Sequence, residues 1–324
     1  ALTSEQIAEI SSEQVAALNS AQFAAMTSTQ LAAISTEVVS AIKTEGIASL
    51  AAKTLAALTS EHFAAFTSDQ VEALNSGQIA GLTGEKLSAL DTEGLAKFTT
   101  TEIAAINTGA LAQLATESVV ALTTEQVASL TTAQFAQLTS GQLAVVTSAQ
   151  IAAIKPSQLG ALTSSQVSNL STEFLTELNS EQVAGLSTRG VVGLTSTQLS
   201  TLDSTTVEYL TSAQIAVLNG SQLSSLTTEN LALLATDEVA AITNAALSTL
   251  ATESLAALTT TQVEALKTSQ VAVLGSSQLS AMTTEQVGSF TSTQLAAFTT
   301  GAIAGLGTDK IGGLTSEQMG TLTS

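Results

Sequence analysis

From Thr147 to Ile154 the chain reads Thr-Ser-Ala-Gln-Ile-Ala-Ala-Ile, and the rest of the 324 residues is this octad rewritten. Forty octads run from Thr3 to Leu322 with no insertion or deletion. Numbered from its Thr, position 5 is Val, Ile, Leu, Phe or Met in all 40 copies, and position 8 is Leu, Ile, Phe, Met or Val in all 40. A period this strict marks a solenoid or array, in which each repeat is one small structural unit stacked on its neighbours.

One continuous helix does not fit an eight-residue period. Eight residues advance two turns plus about 80°, so the apolar seam would circle the helix within a few octads and no face would stay buried. A strand would put positions 5 and 8 on opposite faces and fill its length with Ala and Gln, which strands disfavour. One short helix per octad fits at each position. Position 1 is Ser, Thr, Asn, Asp or Gly in 33 of 40 copies, the set whose side chains or small size suit a helix N-cap. Position 4 is Gln or Glu in 24 copies, which places a capping box three residues on, and position 8 of one octad meets position 5 of the next as a hydrophobic staple. Pro156, the one proline, sits at position 2, where a helix has no use for the missing amide hydrogen. Of 27 acidic residues, 18 lie at position 3, in the first turn, where the helix dipole favours anions.

The expected fold is therefore all-α: a solenoid of very short helices, one per eight-residue repeat, 40 repeats, with corners at positions 8 and 1. Such helices do not survive alone. Positions 5 and 8 turn inward, and each fully buried side chain there contributes about 1.5–3 kcal/mol. Position 6 is Ala, Ser, Gly or Thr in 35 copies, which permits close packing. Two octads per coil give a two-layer ribbon and three give a triangular coil; the octad is compatible with both. The unbroken register reads as a single array over 1–324, with no linker and no polar cap at either end.

Composition narrows function by exclusion. There is no Cys, hence no disulfide framework or thiol chemistry. Apolar runs are too short to span a bilayer, and no signal-peptide pattern is read at Ala1. Net charge is −19 with eight basic residues, which argues against nucleic acid and anionic membrane as partners. With no Trp and one Tyr, Tyr209, there is no aromatic platform for bases or sugars. His62, the single histidine, occupies position 4 and reads as a substituted capping residue. Asp91 and Asp203 are alternative N-caps. Asn169 and Asn219 begin N-glycosylation-type triplets that a chain rich in Asn, Ser and Thr produces by chance. Lys43, Lys155 and Lys267 share position 1 at intervals of 14 octads; drift within a repeat family explains them better than a lateral contact repeating along a fibre. No catalytic, cofactor-binding or metal-ligating residue is assigned, no cofactor or small-molecule substrate is expected, and the chain reads as a non-enzyme.

The Thr/Ser-x-x-Gln-Val/Leu-Ala-Ala-Leu pattern resembles the octad arrays of very large secreted or surface proteins of Gram-negative bacteria, along the whole chain. The resemblance implies an extracellular structural or adhesive role and carries over no functional residues. The leading expectation is the shaft of a fibre, filament or adhesin stalk. Its partner would be itself, head to tail through the apolar ends (Ile7, Ile10, Met319, Leu322), or a longer array of which this is part. The Ser/Thr run at position 2 keeps a surface-binding module for ice or a glycan as the alternative. An acidic rod mimicking DNA ranks below both, because only 11% of residues are charged.

Overall fold

The capping chemistry acts as the octad pattern implies. In the computed structural model, which describes residues 2–322, one short helix forms in each octad, each four to seven residues long. Thr124–Ser129 shows how a helix starts and stops. The Thr123 side chain accepts the Gln126 amide, and the Gln126 Oε1 accepts the Thr123 amide at 2.9 Å, which closes a capping box. The helix then ends at Leu130, whose backbone is extended (φ −53°, ψ 132°), as is that of Thr131 (φ −67°, ψ 157°). These two residues, positions 8 and 1, turn the corner. Pro156 opens its helix at the first position.

The described residues contain no strand and no residue with positive φ, glycine included. The corners therefore use ordinary extended backbone, and the glycines answer another need: close approach between coils. A Cβ on Gly193 or Gly305, both at position 7, would lie 2.0 Å from the carbonyl oxygen of Ser164 or Ser276, at position 2 three octads earlier. One octad departs from α geometry. Over Thr36–Ala41 the chain forms a 3-10 helix. Val38 replaces the position 4 Gln there, and the Ser35 hydroxyl caps the Glu37 amide instead, one residue early.

The chain divides into two compact units, 1–161 and 162–324, each built the same way. In the first, Thr124–Ser129 packs against Thr100–Ala105 and Ser148–Ala153; in the second, Thr236–Ala241 packs against Ser212–Ile215 and Thr260–Glu264. Throughout each unit a helix lies against those three octads away, so three octads, 24 residues, complete one turn of the coil. Of the two closures the octad allows, this is the triangular one. Position 5 and position 8 side chains from three sides fill its middle, and nearly all are buried. Position 3 points outward and is exposed in all 40 octads. No helix among the described residues is long and apolar enough to cross a membrane.

Candidate functional site

The polar group this fold does most with is the position 4 Gln. A capping box on an isolated helix would leave it at the surface, yet from Gln70 onward these glutamines are buried; Gln78 and Gln158 are 1% exposed. The reason lies at the far end of the side chain. While Oε1 holds its own N-cap amide, Nε2 donates down to carbonyls four octads earlier, that of position 8 and, in most octads, that of position 5; Gln222, Gln286 and Gln318 reach position 6 in its place. Gln134 donates to Ile103 and Ile106, both at 2.8 Å. Gln142 donates to Leu111 and Leu114, and Gln158 to Val127 and Leu130. In the second unit Gln198, Gln214, Gln262 and Gln278 do the same. One amide thus closes a cap and clamps a helix end to the corner beneath it. No fully buried side-chain nitrogen or oxygen among the described residues is without a partner, as burial of polar groups demands.

The first octads confirm what the clamp needs. Gln6, Gln14 and Gln22 have no coil beneath them and are exposed, although their capping bonds are intact. Where Gln is replaced, other donors reach the same coil. Asn230 donates to the position 8 carbonyl of Leu202 at 2.9 Å, and the Lys86 and Lys310 ammonium groups donate to the position 6 carbonyls of Ala56 and Ser280. His62 belongs here. Its Nδ1 takes the Thr59 amide at 3.2 Å and its Nε2 lies 2.8 Å from the Ile34 carbonyl. Accepting at Nδ1 fixes the proton on Nε2, which donates. His62 is thus the capping residue its position suggests, and also a clamp. In two octads with Ala at position 1 and Ser at position 4, the N-cap amides of Ala115 and Ala251 donate to Ser88 and Ser224 in the coil below.

The remaining singled-out residues do not converge. Asp91 and Asp203 cap their helices by accepting the Gly94 and Thr206 amides. Lys43 and Lys155 sit at N-caps without side-chain capping bonds; 14 octads is not a multiple of three, so the two fall on different sides of the coil. Tyr209 is a half-buried C-cap residue. Asn219 caps its helix, and Asn169 is exposed and donates to Ser165. Position 2 side chains do not form one uniform face: Thr124, Thr132 and Ser196 are exposed, whereas half-buried Ser212 donates to Asp237 at 2.7 Å, and the Ser20 backbone carbonyl accepts the Ser49 hydroxyl.

Position 3 carboxylates bond locally. The Ser11 and Thr59 hydroxyls hold the Glu13 and Glu61 carboxyls below the usual range. For Glu173, Glu229, Glu253 and Glu285 the residue's own amide does most, helped by neighbouring hydroxyls. Among the described residues no three His, Asp or Glu side chains gather where they could hold a metal.

Comparison with known proteins agrees with the repeat. No curated protein matches the chain. A family model described as the ALTTAQ repeat matches at residues 1–28, 47–84, 103–140, 135–172, 263–292 and 287–324. Its six letters correspond to positions 7, 8, 1, 2, 3 and 4, the corner followed by the cap and the clamp; Ser129 to Gln134 reads Ser-Leu-Thr-Thr-Ala-Gln. The stretches between matches hold many of the replaced glutamines: Val38, then Lys86 and Gly94, then Phe174, Gly190, Thr206, Asn230 and Glu238. The matches cover more than half of the chain and the structure has one helix for each octad, so the chain belongs to the ALTTAQ repeat family.

Proposed function

We propose that this chain is a structural segment: the shaft of an extracellular fibre, filament or adhesin stalk of a bacterial surface, extended by stacking coil on coil. The observation that carries the reading is the clamp. Its polar groups are spent on joining each coil to the one before it, and the same joint recurs through both units. A repeated, self-similar joint suits a part whose job is length and continuity. The resemblance to octad arrays of secreted and surface proteins supplies the location.

Self-association follows from the same joint. The first coil presents Gln6, Gln14 and Gln22 as clamps facing no carbonyl, beside a pocket of about 260 Å³ lined by Ile7, Leu18, Ala25 and Met26. In the last coils the side chains of Ile303, Leu306, Ile311 and Leu314 are half-buried. Position 5 and 8 carbonyls there are the groups to which a further coil's glutamines would donate. Each face complements the other, and a head-to-tail contact of this kind does not close on itself. More octads of the same chain, or another copy, would cover both faces.

Sedimentation and negative-stain microscopy of the 324-residue chain test this, alone and with polar octads fused at both ends. Long assemblies from the first and single particles from the second are expected. A chain that stays monomeric at high concentration would refute non-covalent stacking.

A further inference from the structure

One clamp is chemically different from the rest. Glu238 stands at position 4 of octad 30 (235–242), 8% exposed, and its Oε2 accepts the Ala235 amide at 2.8 Å, as a Gln Oε1 would. By the register of the glutamine clamps, the carbonyls opposite this slot are those of Val207 and Leu210, four octads earlier. A Gln meets such carbonyls with an N–H; an ionised carboxylate meets them with a second acceptor and no hydrogen. We propose that Glu238 is an acid-dependent joint: its protonated carboxyl donates its one O–H to a carbonyl of this pair and closes the clamp, and ionisation opens it.

The surroundings favour this. On its own helix the neighbouring charge is Asp237. Of the packed helices, Ser212–Ile215 lies in an octad with no titratable group, and Thr260–Glu264 brings the exposed Glu264. Octad 26 beneath carries exposed Asp203 and Glu208 and half-buried Tyr209. Lys267 is exposed at the N-cap of the octad whose Gln270 docks on the Val239 and Ile242 carbonyls, at the other end of the helix. Among the described residues no cation acts on the carboxyl. Burial pushes it above the usual range; the Ala235 amide opposes this and Asp237 adds to it. The sign follows: with the folded value raised, the folded state binds more protons than the unfolded one, so this joint is complete at and below the ordinary Glu range and is lost as pH rises through the raised value. The position 3 carboxylates with lowered values respond in the opposite direction.

The test is hydrogen exchange of the octad 30 amides across pH 4.5–8 in the full chain, with each protection factor expressed as the ratio of Glu238→Gln to wild type at the same pH, so that intrinsic exchange cancels. The ratio should be near one in acid and rise with pH, as the wild-type joint opens and the Gln joint does not. Asp237→Asn should keep a pH-dependent ratio. A ratio flat in pH, a ratio that falls with pH, or a dependence abolished by Asp237→Asn would each overturn the proposal.

Discussion

Two neighbouring runs of five octads differ most consistently at position 4. Residues 123–162 carry Gln126, Gln134, Gln142, Gln150 and Gln158; residues 83–122 carry Lys86, Gly94, Glu102, Ala110 and Ser118. Both form one short helix per octad, and their position 5 and position 8 side chains are all apolar and, apart from half-buried Val146, buried. In the first run every clamp is made. In the second, improvised contacts take its place: a lysine ammonium on a carbonyl, the Asp91 carboxylate on the Gly94 amide, a hydroxyl from the coil below. Apolar packing therefore specifies the coil, and the Gln fixes how firmly each coil is held. Glycine in the slot shows the trade. A Cβ on Gly94 would lie 2.7 Å from the Asp91 carboxylate and 3.1 Å from Val71, so here the space is given to a neighbour's cap and core.

The sharpest break of this comparison is Val127→Asp. Val127 is 4% exposed in the coil interior, and an unpaired carboxylate there is among the costliest single changes, about 4 kcal/mol or more. Urea unfolding monitored by circular dichroism should show the loss. Hydrogen exchange should confine it to octads within one or two coils, because repeat stability is a nearest-neighbour sum. Damage spread evenly through both runs would mean that the coils are not independent units.

Exchanging the slot residues comes next. Gln134→Ala leaves the Thr131 amide and the Ile106 carbonyl short of a partner, while the Ile103 carbonyl keeps only the Ile106 amide; it should cost about 1–3 kcal/mol, read as lost protection in residues 103–106 and 131–138. Ala110→Gln supplies the missing donor in the looser run and should gain about 0.5–1.5 kcal/mol. If neither substitution moves local protection, the difference between the runs does not lie in the clamp.

Acid has the smallest effect. The position 3 carboxyls with lowered values, such as Glu61 and Glu285, contribute above the ordinary Glu range, and their contribution disappears as pH falls through the lowered values. They are exposed, so a modest fall in the unfolding midpoint is expected between pH 5 and pH 3. It should be absent in the double variant Glu61→Gln, Glu285→Gln if these residues dominate.

Much of this was legible in the octad. Cap, box, staple and Pro156 depend on groups within four residues of one another, and local spacing states such relations openly. The closure at three octads was not legible, because position 5 and position 8 are equally apolar for two or three octads per turn. The second role of the Gln was hidden for a different reason: the capping box already accounts for a Gln at that spacing, and its other amide acts across 28 to 31 residues. A signal was nevertheless present. Lys86 and Lys310 occupy the slot, and an ammonium cannot accept the N-cap amide. Among the longer polar side chains that replace Gln there, Asn, Lys and His share the ability to donate.

The clamp also has a direction. In every case the later octad supplies the N–H and the earlier one the carbonyl. A finished coil thus offers ready acceptors to whatever chain comes next, and the loop each new clamp closes is always about the same size. Closure entropy depends on that loop and not on total length. The array grows like a zipper with a fixed step: the first turn is the costly one, and adding octads lengthens the protein without making its last coil any harder to fold than its second.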